Sequence, residues 1–211
     1  MKNRNIDFDL YLITNRKLVT HHTSLIMAVR KSLLSGVKAV QLREKDIETR
    51  ELLKLASKMR DLTAKYDAKL FINDRFDIAL AVGADGVHLT QKSIPADAVR
   101  KALKNKLLIG VSTHSLKEAK EAEKGGADFI TFGPVYKTPS KLKYGEPLGI
   151  DVLKDVSRKI KIPVFALGGV KAENIDEVKK SGAFGAAMIS EILCAVDIKE
   201  KTRELINILG E

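Results

Sequence analysis

Residues able to hold an anion or move a proton recur in this chain at the ends of short apolar runs. The densest group is Gln41-Leu42-Arg43-Glu44-Lys45. Arg43 offers a planar, two-pronged donor and Lys45 a point charge, a pair suited to a phosphate-like ligand, with Gln41 and Glu44 as polar contacts beside them. Asn73-Asp74-Arg75 supplies a carboxylate. A hard cation such as Mg2+ takes oxygen ligands of that kind and also draws on substrate phosphate oxygens. Capping of the next helix is the alternative for Asp74 and Arg75. Ser112-Thr113-His114-Ser115 contains a histidine able to serve as acid or base near neutral pH, or to orient and cap a helix. Gly168-Gly169 and Ile189-Ser190 each stand between an apolar run and a helical pattern. There backbone amides can approach a phosphate and a helix N-terminus favours the anion; a tight turn without a ligand is the plainer account of Gly168-Gly169. The long connection over 134–148 holds Thr138, Ser140 and Lys141, a set that could grip an anion and close over it. His88 lies inside an apolar run and reads as structural, while His21 and His22 have no metal partner in the sequence.

These groups must be positioned by the elements that carry them. Apolar runs at 10–14, 39–42, 69–73, 86–89, 107–111, 129–132, 164–167 and 186–189 are near-continuous, as strands buried on both faces should be. Helical periodicity occupies 24–35, 49–66, 96–103, 116–124, 150–159, 174–181 and 197–209, with Pro95 marking one start. A further helix is expected after Arg75. Strict alternation of strand and helix implies a parallel sheet with right-handed crossovers. Eight such units in 211 residues predict an α/β chain folded as one (β/α)8 TIM barrel, a single domain over 1–211. A doubly wound open sheet is the structural alternative. Gly83-Ala84-Asp85-Gly86, Gly126-Ala127-Asp128 and Gly182-Ala183 form an internal echo, each ending a helix and leading into a strand. In a TIM barrel the chemistry sits at the C-terminal ends of the strands, where the polar groups above fall.

Composition narrows the classes further. The chain is 45% apolar and 30% charged, enough apolar residue for a sizeable core. Aromatics make up 5% and Trp is absent, which predicts a core of Val, Ile, Leu and Ala. The net charge of +10 comes from Lys and Glu alternating along helix faces, as over 117–124 and 154–161, without a dense basic tract or interleaved aromatics. That pattern is a solvated helix surface and argues against a nucleic-acid partner; small phosphorylated substrates are expected from the strand-end groups above. Cys194 is the single cysteine, so neither a disulfide nor a thiolate zinc site is built, consistent with a reducing cytoplasm. The polar segment 1–9 lacks a signal core and no apolar run reaches membrane-spanning length, so a cytoplasmic location without a membrane partner is expected. A homo-oligomer stays open.

Taken together and in order, several segments resemble thiamine phosphate synthase and its close relative the thiazole tautomerase, over nearly the whole chain. They are Gln41-Leu42-Arg43-Glu44-Lys45, Ile72-Asn73-Asp74-Arg75, Asp85-Gly86-Val87-His88-Leu89, Gly110-Val111-Ser112-Thr113-His114-Ser115, Phe132-Gly133-Pro134-Val135, Gly168-Gly169 and Ile189-Ser190. The resemblance implies a transferase that joins a hydroxymethylpyrimidine pyrophosphate to a thiazole phosphate carboxylate, releasing pyrophosphate and CO2. It implies that Gln41, Arg43, Lys45, Asn73, Ser112 and Lys141 hold the pyrimidine pyrophosphate, that Asp74 binds Mg2+, and that Thr138, Ser140, Gly168, Gly169, Ile189 and Ser190 hold the thiazole phosphate. Lys141, at the leaving group, and His114 are the catalytic candidates. Thr90-Gln91-Lys92-Ser93 departs from the family's Gly-Gln-Glu-Asp, so Ser93 stands where a second Mg2+-binding aspartate is expected and Lys92 replaces an acid. Ser140 replaces the second threonine of a Thr-x-Thr-Lys pattern and keeps its hydroxyl. The synthase is the leading expectation. A tautomerase aromatising the thiazole phosphate carboxylate with His114 as acid/base is the second, and a non-catalytic binder of thiazole or thiamine phosphate the third.

Overall fold

In a computed structural model describing residues 6–19, 24–138 and 146–210, eight parallel strands close in chain order, the last hydrogen-bonded back to the first. The strands are β1 (Leu10–Ile13), β2 (Ala39–Leu42), β3 (Lys69–Asn73), β4 (Gly86–Leu89), β5 (Leu108–Thr113), β6 (Phe129–Phe132), β7 (Val164–Leu167) and β8 (Gly185–Met188). The helices among the described residues are α1 (Leu25–Leu34), α2 (Thr49–Lys65), α3 (Phe76–Ala81), α4 (Ala96–Leu103), α5 (Leu116–Lys124), α6 (Ile150–Lys159), α7 (Ile175–Lys180), α8 (Ser190–Leu193) and α9 (Ile198–Gly210). The pairing of Leu10 with Ala186 closes the ring and excludes the open sheet.

Element bounds shift where polar residues join a strand or a helix is short. β5 extends through Ser112 and Thr113, which pair with Thr131 and Phe132, so it outruns the apolar stretch 107–111. β8 begins at Gly185 and stops at Met188, one residue earlier at each end than its apolar run suggests. The helix after Arg75, α3, is too short for a 3.6-residue period to show, and buries only Ile78 and Ala79.

Because successive strand residues face opposite ways, the barrel has two cores. The outer one, between strands and helices, is aliphatic as composition predicts: Leu12, Val40, Leu70, Ile72, Val87, Ile109, Ile130 and Ala166 all lie in it. The lumen overturns that expectation. It is filled by Tyr11, Phe71, Phe129 and Phe165, with Phe8 and Ile6 among them. Tyr11–Phe71 and Phe71–Phe129 meet edge-on with centroids 5.3 Å apart. A few large rings fill a narrow tube that aliphatic chains would leave partly empty. The glycines opposite them make the room: a Cβ at Gly86 would stand 2.3 Å from the Phe71 ring, and one at Gly110 2.4 Å from the Phe129 ring.

The internal echo is a repeated clamp at the N-terminal ends of the strands. Asp128 accepts from Ile109 N–H at 2.7 Å and from Arg100 of α4 at 2.5 Å, while Arg100 also donates to the carbonyls of Leu107 and Gly126. Asp85 repeats this with Leu70 N–H and Arg60 of α2. The third echo carries Phe184 instead, half-exposed and against Phe165. Arg100→Ala strands the Asp128 carboxylate, whose side chain is 6% exposed, and should cost about 3–5 kcal/mol in urea denaturation. Lys54→Ala, which removes an exposed pair with Glu51, should cost no more than about 1 kcal/mol in the same assay.

Candidate functional site

One layer above the aromatic rings, strand alternation places polar side chains in the lumen: Gln41, Asn73, His88, Ser112 and Thr131. They form a chain of hydrogen bonds. Gln41 Nε2 donates to the Tyr11 hydroxyl at 3.2 Å, Tyr11 lies 3.4 Å from His88 Nδ1, and His88 Nε2 lies 3.0 Å from Ser112 Oγ. Thr131 Oγ1 donates to Ser112 Oγ at 3.4 Å. Burial, helped by the nearby Arg43 charge, pushes His88 down from 6.5 to about 3, so it is a neutral imidazole at physiological pH. Burial likewise raises the Tyr11 phenol well above its ordinary range. His88 is structural in the sense the sequence suggests, yet it also touches the expected ligand residue Ser112. Tyr11 and Thr131 were missed; the lumen alternation Gly86-x-His88, beside Gly110-x-Ser112, was the available signal.

On the rim, Glu44 is turned away from the mouth. Its carboxylate, 2% exposed, accepts from Thr14 Oγ1 at 2.8 Å and from Arg16, through the backbone N–H and the guanidinium, each at 3.1 Å. Thr14 Oγ1 in turn accepts from Arg43 N–H at 2.9 Å. Glu44 thus holds the loop after β1 and the backbone of the Gln41–Lys45 segment; its oxygens are committed within the protein. Beside it, the exposed Asp46 is held at about 2 by Lys17 and Arg16. Arg43 has no ion-pair partner among the described residues and stands near enough to His88 to depress it. Lys45 is exposed on the same rim, at the end of the same segment.

On the neighbouring strand, Asp74 sits just past the end of β3 with φ of 61°, its N–H bonded to His88 O at 2.9 Å. Asn73 Nδ2 donates to Asp74 Oδ2 at 2.6 Å, and Ser93 and Thr90 hydroxyls donate to Asp74 Oδ1. Ser93 therefore does lie beside Asp74, where a second carboxylate was expected. Among the described residues no group of three or more His, Cys, Asp or Glu gathers to hold a metal. One carboxylate flanked by hydroxyls is an oxygen-only donor set, which fits Mg2+ when a phosphorylated ligand supplies most of the remaining oxygens. Arg75 is engaged with Asp77 and Thr49 rather than with this cluster.

Gly168 and Gly169 adopt φ of 93° and 68°. Their lack of side chains is required by the loop after β6: a Cβ on Gly168 would be 2.7 Å from Pro134, and one on Gly169 2.7 Å from Tyr136 Cβ. Val135 N–H and Tyr136 N–H bond to the carbonyls of Leu167 and Gly168. Tight backbone crossing alone accounts for these glycines, and it sets Thr138 on the same rim. Ile189 caps the single turn α8, with Ser190 exposed at its first position. His114 is anchored: its N–H bonds to Glu118 Oε2 at 2.6 Å and its Nδ1 contacts the Gly133 carbonyl. Ser140 and Lys141, like His21 and His22, lie outside the described residues.

The family described as Thiamine monophosphate synthase matches residues 10–192. A relative from Geobacter sulfurreducens is 52% identical over 97% of this chain and 95% of its own. The thiamine-phosphate synthase of Clostridium novyi is 43% identical over 97% of this chain and all of its own length. The solved structure of thiamine phosphate pyrophosphorylase from Pyrococcus furiosus superposes with a TM-score of 0.87 at 39% identity, covering 96% of each chain.

The burial of His88 has a measurable consequence. An unfolded histidine takes a proton near pH 6.5 and folded His88 only near pH 3, so between them the unfolded chain binds more protons and stability falls as pH is lowered. The depressed carboxylates Asp46, Asp77 and Asp197 enter only below their ordinary value of 3.8. Urea denaturation between pH 6.5 and about 4.5 should show a slope of up to about 1.4 kcal/mol per pH unit, and His88→Asn should flatten it.

Proposed function

We propose, from the premise that the chain belongs to the thiamine monophosphate synthase family, that it condenses a hydroxymethylpyrimidine pyrophosphate with a thiazole phosphate carboxylate to give thiamine phosphate, pyrophosphate and CO2. The observation that carries this reading is a single mouth where Arg43 and Asp74 stand above a neutral polar floor of Gln41, Asn73, His88 and Ser112. The bond from the pyrimidine methylene carbon to the pyrophosphate oxygen breaks, and the oxygen leaves with the electron pair. The thiazole nitrogen then gives its lone pair to the resulting pyrimidine cation; the carboxylate is lost as CO2, and the bonding pair it leaves on the thiazolium carbon takes up a proton from water. Such chemistry asks the protein for positioning and for charge to receive the leaving group. Arg43, Lys45, Asn73 and Lys141 are suited to the pyrophosphate, Gln41 and Ser112 to the pyrimidine ring. Thr138, Ser140, Gly168, Gly169, Ile189 and Ser190 are suited to the thiazole phosphate.

Asp74, with pyrophosphate oxygens, would hold Mg2+, which when bound adds positive charge beside the leaving group. Ser93 keeps the neighbouring place but contributes a hydroxyl, so the protein supplies one negative charge there rather than two. The relatives' names favour the transferase over an isomerase centred on His114 and over a non-catalytic binder, and the anchoring of His114 Nδ1 on Gly133 gives that residue a structural part.

Incubating the protein with both substrates and Mg2+ should yield thiamine phosphate and pyrophosphate; no product at any Mg2+ concentration would refute the reading. Arg43→Ala should lower kcat/KM by about a hundredfold. Ser93→Asp should reduce the Mg2+ concentration for half-maximal rate by about tenfold, since ligand charge count sets affinity for the ion.

A further inference from the structure

We propose that Tyr11 and His88 are positioning residues that fix the hydrogen-bond direction of the two ring-facing groups, making Gln41 present an acceptor and Ser112 a donor, so that the site selects a pyrimidine bearing an exocyclic amine beside an unprotonated ring nitrogen. This rests on the synthase reading for the place of the pyrimidine; the direction of the relay rests on the orientation of the Gln41 amide toward Tyr11.

The direction follows from the donor and acceptor inventory of each group. Gln41 Nε2 donates to Tyr11 Oη. With its oxygen so used, the phenol turns its own O–H toward His88 Nδ1, 3.4 Å away. Nδ1 must then be the bare nitrogen of a neutral imidazole, and the proton sits on Nε2, which donates to Ser112 Oγ at 3.0 Å. Thr131 Oγ1 also donates to that oxygen. With two bonds received, Ser112 has one role left, to donate. At the other end, Gln41 Oε1 has no hydrogen bond to the described residues and remains an acceptor. Gln41 is 1% exposed and His88 1%, so water does not compete along the chain, and each bond constrains the next. Rotating the Gln41 amide by a half-turn would put Oε1 on Tyr11 and reverse every bond, leaving Gln41 a donor and Ser112 an acceptor. The site therefore has two mutually exclusive wirings, and they prefer opposite rings: an exocyclic amine in the wiring seen, an oxo group with a protonated ring nitrogen in its reverse.

The imidazole tautomer reads the wiring directly. In 15N-labelled protein, long-range proton–nitrogen correlation at neutral pH should show the His88 proton on Nε2 and Nδ1 bare, with the signal assigned by its loss in His88→Gln. A proton on Nδ1 would overturn the relay. Its purpose is read with an analogue of the pyrimidine pyrophosphate in which the exocyclic amine is replaced by oxo. The protein should prefer the amine by at least about a hundredfold in kcat/KM, as sites with buried polar partners do. Tyr11→Phe should reduce that preference at least about tenfold, mainly through KM for the amine. An unchanged preference in a folded Tyr11→Phe protein would overturn the positioning role. The tautomer needs no turnover, so absence of thiamine phosphate formation, which defeats the proposed reaction, is distinguishable from failure of the relay.

Discussion

A closed ring of eight parallel strands has a narrow lumen, and whatever fills it must come from every second residue of every strand. This steric demand governs the rest of the molecule. Phe71, Phe129, Phe165 and Tyr11 meet it in one layer, and the glycines opposite them are there because the rings need the space. A firm aromatic layer gives the next layer a fixed base. Two residues further along each strand, the same alternation sets Gln41, Asn73, His88, Ser112 and Thr131 side by side, at a depth where polar groups must satisfy one another. Tyr11 joins the two layers: its ring belongs to the apolar stack and its hydroxyl to the polar chain above it.

The rim is built on a different principle. There the charges other than Glu44 are exposed or half-exposed, and clamps made by side chains hold backbone segments in place. Glu44 ties the loop after β1 to the end of β2, leaving Arg43 to face the mouth. On the adjacent strand ends, Asp74 is held by neighbours that all donate to it: Asn73, Thr90 and Ser93. Arg43 and Asp74 thus follow two adjacent strands with opposite charge, which suits a ligand that is itself an anion accompanied by a cation.

Much of this was legible in the sequence, and the gaps have physical causes. The strand and helix order follows from apolar runs and periodicity, and the polar rim from residues that end those runs. β5 outran its apolar stretch because Ser112 and Thr113 are strand residues whose side chains, one facing the lumen and one buried, are polar. α3 was expected after Arg75 but without bounds, because six residues do not establish a helical period. Glu44 reads as a ligand contact in a charged segment, and only three-dimensional contact with Thr14 and Arg16, some thirty residues earlier, shows it facing inward. The aromatic lumen was hidden by the averages: few rings in the whole chain, but Phe8, Tyr11, Phe71, Phe129 and Phe165 concentrated in one tube. Gly168-Gly169 suggests a phosphate cradle, yet contact with Pro134 and Tyr136 is sufficient to require it.

That crossing shapes the long excursion between β6 and α6. Its two ends are fastened to each other, Leu148 N–H to Pro134 O and Gly149 N–H to Val135 O, while the outgoing strand is stitched to the turn after β7. The excursion is thus closed at its neck, like a purse drawn shut. Changes of length or composition within it stop at the neck and need not disturb the register of the strands below. A barrel arranged this way can alter the excursion while leaving the strands below untouched, which makes this neck the natural seam along which related chains can diverge.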